Sequence, residues 1–365
     1  MSARKPTVCL ISGSDSDLGG MVPVGRALRE EGARTWWIGA GPADRTPPPS
    51  PRVMLPATCP PRGDVEATAV FIAEVQRQAI EALIDRGCDF VVLLGDRNEI
   101  LAAAAAACLL RIPLGQVHAG ELALGQTDNR VRHAVSRLSD LMFAPDALSC
   151  RRLRAWGEQA GRVFHVGSPF VDSLCPIKPL KGHRGLRPLE YVMCIYHPVR
   201  ADDGSEYGQA GRVLARAEAA RRRLSGRIGR EAKLLLIEPS PDPGRWGIIR
   251  RWREAERERP EIVIYQERLP RSRYLQLLTH CAELIANSSG LFTEAAPLGV
   301  PMTLVGRRQK GRRLTRPRAA RRPVLTRPLS GGPYGGPGAS RRIARIVMSR
   351  LRKGGWKPKE FRDII

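Results

Sequence analysis

The sequence predicts an α/β fold in which two Rossmann-like domains, each built on a parallel sheet, face a cleft. Two observations predict it. Short apolar runs typical of buried strands alternate with longer amphipathic stretches typical of helices, which is the pattern of a doubly wound sheet. The chain has 365 residues, more than one core usually supports, and a polar, proline-containing stretch without periodicity at 175–189 interrupts the alternation.

The first half opens with a β-α-β unit: strand 8–12, a Gly/Ser/Asp turn at 13–20, helix 21–31 and strand 35–38. The glycines of the turn do not form a GxGxxG fingerprint, so a tight strand-to-helix turn accounts for them. Residues 39–63 are rich in Pro and Arg and predict a loop, for which a lid and a plain surface insertion both fit. The remaining elements are helix 64–86, strand Phe90–Leu94, an alanine-packed helix, strand 113–117, helix 131–138, strand Leu141–Ala144, helix 151–156 and strand 163–166.

The second half repeats the alternation without repeating the sequence. Its predicted elements are strand 191–197, helix 209–228, strand 233–237, helix 248–258, strand 262–265, helix Arg271–His280, strand 284–286, helix 289–298 and strand 302–305. We therefore expect an N-terminal domain over 1–174, a linker over 175–190 and a C-terminal domain over 191–350.

Composition excludes several classes of protein. The 60 Lys and Arg outnumber the 36 Asp and Glu, giving a net charge of +24, and 306–323 holds nine basic residues and no acidic one. Such an excess favours anionic partners. Aromatic residues are only 5% and groove-reading motifs are missing, so nucleic acid is not the predicted ligand. No apolar run approaches the ~20 residues of a membrane span, and no signal peptide is recognisable.

The eight cysteines are scattered and form no CxxC pair. This spacing indicates neither a zinc site nor a redox motif. We expect reduced, mostly buried thiols in a cytoplasmic protein.

Acidic residues follow two successive strands of the first half. Asp96 comes directly after the strand Phe90–Leu94, and Glu121 closes the segment His118-Ala119-Gly120-Glu121 after the next strand. In an open parallel sheet, ligands bind at the carboxyl ends of the strands. The sequence therefore predicts a site at this edge, with Asp128, Arg132 and His133 following shortly after.

Two features of the second half also suit a ligand. The segment Asn287-Ser288-Ser289-Gly290 lies between a strand and a helix, where free N–H groups and hydroxyls bind anions, although an ordinary helix cap also fits. Glu294 lies on that helix and either accepts ribose hydroxyls or faces solvent. His197 ends a strand, where both a structural and a ligand-binding role are open.

These residues belong to a series of linked motifs. They read GDRNEILAAAAAA from 95, IPLGQVHAGE from 112, TDNRVRHAVSRLSDLMFAP from 127, RVFHVGSP from 162, HPV from 197, PSPDPG from 239, ANSSGLFTEAAPLGVP from 286 and GRRQKGR from 306. In this order the motifs closely resemble the UDP-N-acetylglucosamine 2-epimerase family, in particular its hydrolysing branch.

The resemblance implies a glycosyltransferase-B type fold whose last helix, 351–365, crosses back to the first domain. It implies that Asp96, Glu121 and Asp128 are the catalytic carboxylates, with the assignment of base and acid left open. Ser288 and Ser289 would hold the pyrophosphate of UDP, and Glu294 the ribose. The other positions expected to contact substrate are Arg97, His118, Arg132, His133, His197, Asp242, Asn287 and Gln309. No metal and no cofactor are implied, and the partners are a UDP-sugar and further copies of the chain in a dimer or tetramer.

The implied reaction eliminates UDP across C1–C2 and hydrates the glycal to an N-acetylmannosamine-type sugar, as in the synthesis of sialic-acid-like sugars. The sequence also departs from the family. Asp15 stands in the first turn where the family carries an arginine, and Ile38-Gly39-Ala40-Gly41 replaces a Gly-Met-His segment. Two alternatives therefore stay open: a UDP-sugar enzyme of the same fold with a changed reaction, and a UDP-sugar binding protein with weakened catalysis.

Overall fold

Buried strands form the centre of the first sheet. The computed structural model describes residues 4–40, 49, 51–55, 65–123, 128–199, 205–240, 244–312, 325–326, 332–354, 356–357 and 359. All six residues of β1 (Thr7–Ser12) and all five of β4 (Phe90–Leu94) are buried. A sheet covered on both faces by helices is expected to have such uniformly buried strands.

Seven parallel strands make up this sheet, in the order β3-β2-β1-β4-β5-β6-β7. The elements after β1 are α1 (Asp15–Glu30), β2 (Arg34–Gly39), β3 (Arg52–Met54), α2 (Val65–Arg86), β4, α3 (Asn98–Leu109), β5 (Leu114–Val117), α4 (Asp128–Leu138), β6 (Leu141–Ala144), α5 (Ala147–Ala155), a 3-10 turn (Ala160–Arg162), β7 (Val163–His165) and α6 (Pro169–Asp172).

A second sheet holds five parallel strands in the order β10-β9-β8-β11-β12. Its elements are β8 (Tyr191–Ile195), α7 (Glu206–Ile228), β9 (Lys233–Ile237), α8 (Arg245–Glu258), β10 (Val263–Gln266), α9 (Arg271–His280), β11 (Glu283–Ala286), a π-helical segment (Leu291–Ala295) and β12 (Met302–Leu304). The last helix in the described part of the chain is α10 (Ala339–Lys353). The two parallel sheets with helices confirm the predicted α/β fold.

The described residues form two packed units. Unit 1 holds those before Leu174 and those after Gly336, and unit 2 holds those between. Helix α10 thus belongs to unit 1, where its first N–H groups at Gly338 and Ser340 donate to the Asp172 carboxylate. The sequence placed the returning helix at 351–365, whereas it begins at Ala339 because its apolar residues are needed in the core of unit 1.

Alternation along β1 gives unit 1 a core on each face of its sheet. Val8 and Leu10 pack with apolar residues of α1 and α10, while Cys9 and Ile11 pack with α2 and α3. Unit 2 is arranged in the same way, with α7 and α8 on one face and α9 and the π-helical segment on the other. The carboxyl ends of the strands carry the turns in which the predicted site residues lie.

Some predicted elements were wrong in detail. The predicted helix 289–298 is a π-helical segment, because the Ala296 N–H donates to Leu291, five residues back, and Pro297 has no N–H. Within the predicted loop 39–63, Arg52–Met54 forms strand β3 against β2. The predicted linker is packed in unit 2, where Ile177 and Leu186 are buried in the core.

The expectation of reduced thiols is corrected for one pair of cysteines. Cys9 and Cys88 form a disulfide, with their Cα atoms 6.1 Å apart. The pairing of β1 with β4 explains their proximity, because Cys88 lies two residues before Phe90, the register partner of Val8. Among the described helices, none combines the length and the apolarity that crossing a bilayer requires.

Candidate active site

Asp96 and Arg132 form an ion pair at the carboxyl edge of the first sheet. Gly95 follows β4 with a φ of +108°, a left-handed conformation that favours glycine, and this turn leads to Asp96. Arg132 lies in the second turn of α4, and its Nη2 donates to the Asp96 carboxylate. The two side chains are 5% (Arg132) and 20% (Asp96) exposed, so the pair is largely shielded from water.

The same arginine also contacts the turn after β5. Its Nη1 donates to the backbone oxygen of Glu121 at 3.4 Å, and the Gln116 side chain donates to the backbone oxygen of Arg132 at 3.0 Å. Arg132 therefore connects Asp96 with the segment that carries Glu121. The structure thus brings together the two strand ends that the sequence singled out.

Glu121 itself is buried against a histidine. Its Oε2 lies 3.0 Å from His118 Nδ1, and His118 Nε2 lies 2.8 Å from the Ser168 hydroxyl. The exposed fractions are 8% for His118, 3% for Glu121 and 0% for Ser168. Both ring nitrogens of His118 are thus engaged by protein groups, which does not fit the predicted direct contact with substrate.

A carboxylate that the sequence reading missed lies beside these groups. Asp17 is buried in the first turn of α1, and its Oδ2 accepts from the N–H groups of Gly13 (2.9 Å) and Ser14 (3.0 Å). Burial raises the pKa of Asp17 to about 6, against the opposing effects of the Arg97 charge and the two N–H donors. The Ser-x-x-Asp pattern of a helix capping box was the available signal.

Arg97 and His133 were predicted to contact substrate, and in the structure both contact other groups of the protein. Arg97 Nη2 donates to the buried Glu99 carboxylate at 3.3 Å. His133 packs with its ring edge-on to Trp156, with the ring centroids 4.4 Å apart, and among the described residues its nitrogens have no hydrogen-bond partner. Burial, with the charges of Arg132 and Arg152, lowers the pKa of His133 to about 4. The imidazole of His133 is therefore neutral, and among the described residues it makes no hydrogen bond to Asp96 or Glu121.

Two predicted residues are not fully described. Asp128 is the first residue of α4, but its side chain is outside the described part of the chain, and Asp242 lies wholly outside the described residues. Asp128 is four residues from Arg132 on the same helix, so its backbone position is one turn from the ion pair.

In unit 2, His197 is held in one orientation after β8. The Asn287 side chain accepts from the His197 N–H at 2.7 Å and donates to its backbone oxygen at 2.8 Å. The backbone N–H and hydroxyl of Ser240 lie 3.0 and 2.9 Å from the His197 Nδ1 atom. An N–H donor at Nδ1 makes that nitrogen an acceptor, which places the proton of a neutral ring on Nε2.

Gln309 supports this arrangement. It is 2% exposed, its Nε2 donates to the backbone oxygen of Asn287 at 3.0 Å, and its Oε1 accepts from Arg312 at 3.0 Å. Asn287 and Gln309, predicted to contact substrate, thus act in this structure as links between the ends of β8, β11 and β12.

Ser288, Ser289 and Glu294 lie around the π-helical segment. The Ser288 hydroxyl accepts from the Gly290 N–H at 3.1 Å, and the Ser289 backbone oxygen accepts from the Phe292 N–H at 2.9 Å. The sequence reading expected a full helix here, whose N-terminus would bind an anion. The turn is instead part of a short segment that its own serines help to cap.

Glu294 is 7% exposed, and its carboxylate accepts from Arg271 of α9. It also hydrogen-bonds Tyr274, and burial together with the Glu294 charge raises the pKa of Tyr274 well above its ordinary value. Arg271 and Tyr274 were missed because their motif, Arg-Ser-Arg-Tyr, reads as an ordinary helix start. A cavity of about 510 Å³ in unit 2 is lined by α8 and β10, including Trp246, Arg253 and Tyr265, and by none of the predicted site residues.

Within the described ranges, no group of three or more His, Cys, Asp or Glu side chains is placed to hold a metal ion. The chemistry that the described groups offer is proton transfer by carboxylates and anion binding by arginines and hydroxyls. Carboxylates within reach of a substrate are common general acids and bases in enzymes.

Comparisons with known proteins agree with these features. A family model described as UDP-N-acetylglucosamine 2-epimerase matches residues 61–322. A curated relative from Legionella pneumophila, UDP-N,N'-diacetylbacillosamine 2-epimerase (hydrolyzing), is 33% identical over 227 residues, covering 60% of this chain and 57% of the relative. A UDP-N-acetylglucosamine 2-epimerase from Neisseria meningitidis is 29% identical over 238 residues, covering 62% of this chain and 58% of the relative. The chain thus spans somewhat less than two thirds of these relatives.

Solved structures share the fold at low identity. A structure described as a UDP-N-acetylglucosamine 2-epimerase from Listeria monocytogenes gives a TM-score of 0.67 at 18% identity, covering 99% of this chain and 100% of that chain. The Neisseria meningitidis UDP-GlcNAc 2-epimerase bound to UDP-GlcNAc gives 0.68 at 16% identity, covering 94% and 100%. These structures show the fold and bear out its glycosyltransferase-B type.

Proposed function

Because the chain belongs to the UDP-N-acetylglucosamine 2-epimerase family, we propose that it is a hydrolysing 2-epimerase of a UDP-linked N-acetylhexosamine. The products are UDP and the free sugar inverted at C2, of the N-acetylmannosamine type. The name of the Legionella relative supports both the hydrolysing branch and a modified N-acetylhexosamine as substrate. Two alternatives are a UDP-sugar enzyme of the same fold with a changed reaction and a UDP-sugar binding protein with weakened catalysis. An assay of the reaction products distinguishes them.

The observation that carries this proposal is the connection that Arg132 makes between Asp96 and the Glu121 turn. An elimination followed by hydration needs a base for the weakly acidic C2 proton and an acid on the opposite face of the sugar. Two acidic residues at neighbouring strand ends are suited to that requirement, because Arg132 holds the carboxylate of Asp96 and the backbone of Glu121.

In the proposed first step, one carboxylate takes the proton from C2. The electron pair of the C2–H bond forms the C1–C2 double bond, and the C1–O bond breaks with its electrons leaving on UDP. In the second step C2 receives a proton from an acid on the other face, while the oxygen of water bonds to C1 and loses a proton. Asp96, Glu121 and Asp128 supply these acids and bases, and Arg132 balances charge at Asp96 as the positive character of C1 develops.

For unit 2 we propose binding of the nucleotide. Ser288 and Ser289 would contact the pyrophosphate, and Glu294 would accept the ribose hydroxyls. The buried pair of Glu294 with Arg271 supports this, because it fixes the carboxylate in one orientation. His197, held by Asn287 and Ser240, would offer its Nε2–H to a phosphate oxygen or to the sugar.

Two further proposals concern the protein in the cell. The chain would form a dimer or tetramer, as the family resemblance implies, and the protein would be cytoplasmic. The molar mass of the protein in solution, measured by light scattering, tests the proposed dimer or tetramer.

The direct test incubates the purified protein separately with UDP-N-acetylglucosamine and UDP-N,N'-diacetylbacillosamine. UDP release is measured by a coupled assay and the sugar by proton NMR. The proposal expects UDP and the free C2-inverted sugar in equal amounts from at least one substrate. An epimerised sugar still linked to UDP would indicate a changed reaction, and UDP binding without any turnover would indicate a binding protein.

A further inference from the structure

The hydrogen-bonded series Ser168–His118–Glu121 is a buried polar arrangement that includes one of the predicted catalytic carboxylates of unit 1. Its two links are 2.8 Å (Ser168 Oγ to His118 Nε2) and 3.0 Å (His118 Nδ1 to Glu121 Oε2). The edge of the His118 ring also meets Phe170, with the ring centroids 5.7 Å apart. The imidazole is thus confined by contacts at both nitrogens and at one edge.

The backbone at His118 adopts an unfavourable conformation that places the imidazole in this position. His118 has a φ of +61°, in the left-handed region that is unfavourable for a non-glycine residue. Such a conformation persists only where the surroundings determine it. Gly120, two residues on, also has a positive φ of +76°, and a Cβ there would lie 2.7 Å from the backbone oxygen of Ser149. The turn therefore holds the imidazole and Glu121 in a fixed relation.

Hydrogen-bond chemistry then fixes the proton on the ring. An ionised carboxylate only accepts, so Nδ1 must carry the hydrogen that Glu121 receives. In the neutral form of the ring, Nε2 is then the acceptor of the Ser168 hydroxyl. Without that hydroxyl Nε2 loses its donor, and only the carboxylate holds the hydrogen on Nδ1.

We propose that Ser168 and His118 are positioning residues for Glu121. The Ser168 hydroxyl stabilises the Nδ1–H tautomer of His118 from the Nε2 side, and the Nδ1–H group orients the Glu121 carboxylate for proton transfer. This inference rests on the proposed function, because it gives Glu121 a reaction to serve. In this proposal neither Ser168 nor His118 contacts the sugar.

The first arm of the test does not depend on catalysis. In protein labelled with ¹⁵N-histidine, the His118 Nε2 of the wild type should give the shift of an acceptor nitrogen and Nδ1 that of an N–H. In Ser168→Ala the pattern should change, and in Ser168→Thr, which keeps the hydroxyl, it should return. A wild-type His118 that carries its hydrogen on Nε2 would overturn the proposal, whatever the enzyme turns over.

The second arm measures kinetics. Ser168→Ala should lower kcat about ten- to hundredfold, leave the KM for the UDP-sugar within about twofold, and move the acidic limb of the kcat–pH profile upward. Ser168→Thr should restore most of kcat. The control is Ser139→Ala, another fully buried serine of unit 1, whose hydroxyl donates to the Val135 backbone oxygen.

The two proposals fail in different ways. If the wild type releases no UDP from any substrate, the proposed function fails, and the tautomer measurement still decides the role of Ser168. If the wild type is active and Ser168→Ala matches Ser139→Ala in kcat and in pH profile, the positioning role is wrong while the function stands. Thermal unfolding identifies a variant that is merely destabilised, and Ser168→Thr then decides between the outcomes.

Discussion

Arg132 donates one hydrogen bond to the Asp96 carboxylate and another to the backbone oxygen of Glu121. The first contact fixes the end of β4 and the second fixes the end of β5, so a single guanidinium of α4 sets the distance between two acidic segments. A planar guanidinium with several donors suits this task, and a lysine with one compact charge does not.

Asp96→Asn should remove turnover while leaving nucleotide binding intact. A general acid or base contributes roughly 10²–10⁴-fold in rate, so kcat should fall by about that factor. The dissociation constant of UDP, measured by calorimetry, should stay within about twofold. The control is Asp146→Asn, which removes the same charge from the N-cap of α5, where Asn caps equally well. A near-normal kcat for Asp96→Asn would show that Asp96 has another role.

Arg132→Lys should lower kcat about ten- to hundredfold, because one ammonium cannot hold both Asp96 and the Glu121 backbone. Steady-state kinetics on the released UDP give the comparison. Arg137→Lys on the same helix serves as the control, since Arg137 is 42% exposed and pairs with Glu158 outside the site. Equal effects of the two substitutions would mean that the bridging geometry of Arg132 is unimportant.

Glu294→Ala should weaken UDP binding about tenfold while leaving inorganic pyrophosphate binding unchanged, because the lost hydrogen bonds to a charged group are those of the ribose. Calorimetric titration with each ligand separates the two effects. Glu283→Gln, a carboxylate of the same unit that accepts from Thr303, is the control. If pyrophosphate binding weakens as much as UDP binding, Glu294 acts by supporting Arg271 and not by holding the ribose.

The stability of the Asp17→Asn variant relative to the wild type should increase as the pH rises. The pKa of Asp17 is raised to about 6 by burial, above its unfolded value, so the folded state binds the proton more tightly. This contribution is complete below about pH 4 and is lost as the pH rises through about 6. Asparagine does not ionise and has no such loss.

Urea unfolding at pH 4.5 and 7.5 measures this effect. The difference in unfolding free energy between Asp17→Asn and the wild type should shift in favour of the variant by about 2 kcal/mol from the lower to the higher pH. A difference that is independent of pH would mean that Asp17 is ionised in the folded state throughout this range.

The central strands and most helices followed from apolar periodicity, because the middle of each sheet is buried on both faces and strands such as β4 and β8 are continuous apolar runs. The meeting of Asp96 with the Glu121 segment was also predictable, since adjacent parallel strands end at one edge. Contacts between segments that are distant in the sequence could not be predicted. Ser168 lies 50 residues from His118, and no local pattern connects them.

Other misses have similar physical causes. The start of α10 was placed too late, because its apolar residues, among them Ile343 and Val347, follow an arginine- and proline-rich stretch and pair with a core formed by the first residues of the chain. The pairing of Glu294 with Arg271 was not predicted, because it depends on how α9 packs. Periodicity predicts which face is buried and leaves open which polar groups meet there.

The most direct test of the central claim is the fate of isotopes during turnover. With the substrate that the protein accepts, the reaction is run in D₂O and, separately, in H₂¹⁸O, and is quenched early. The elimination and hydration account predicts a free, C2-inverted sugar with one deuterium at C2 and with ¹⁸O at C1, together with UDP that contains no ¹⁸O. Recovery of ¹⁸O in the phosphates of the nucleotide, or of a free sugar that retains its C2 hydrogen and configuration, would contradict the account.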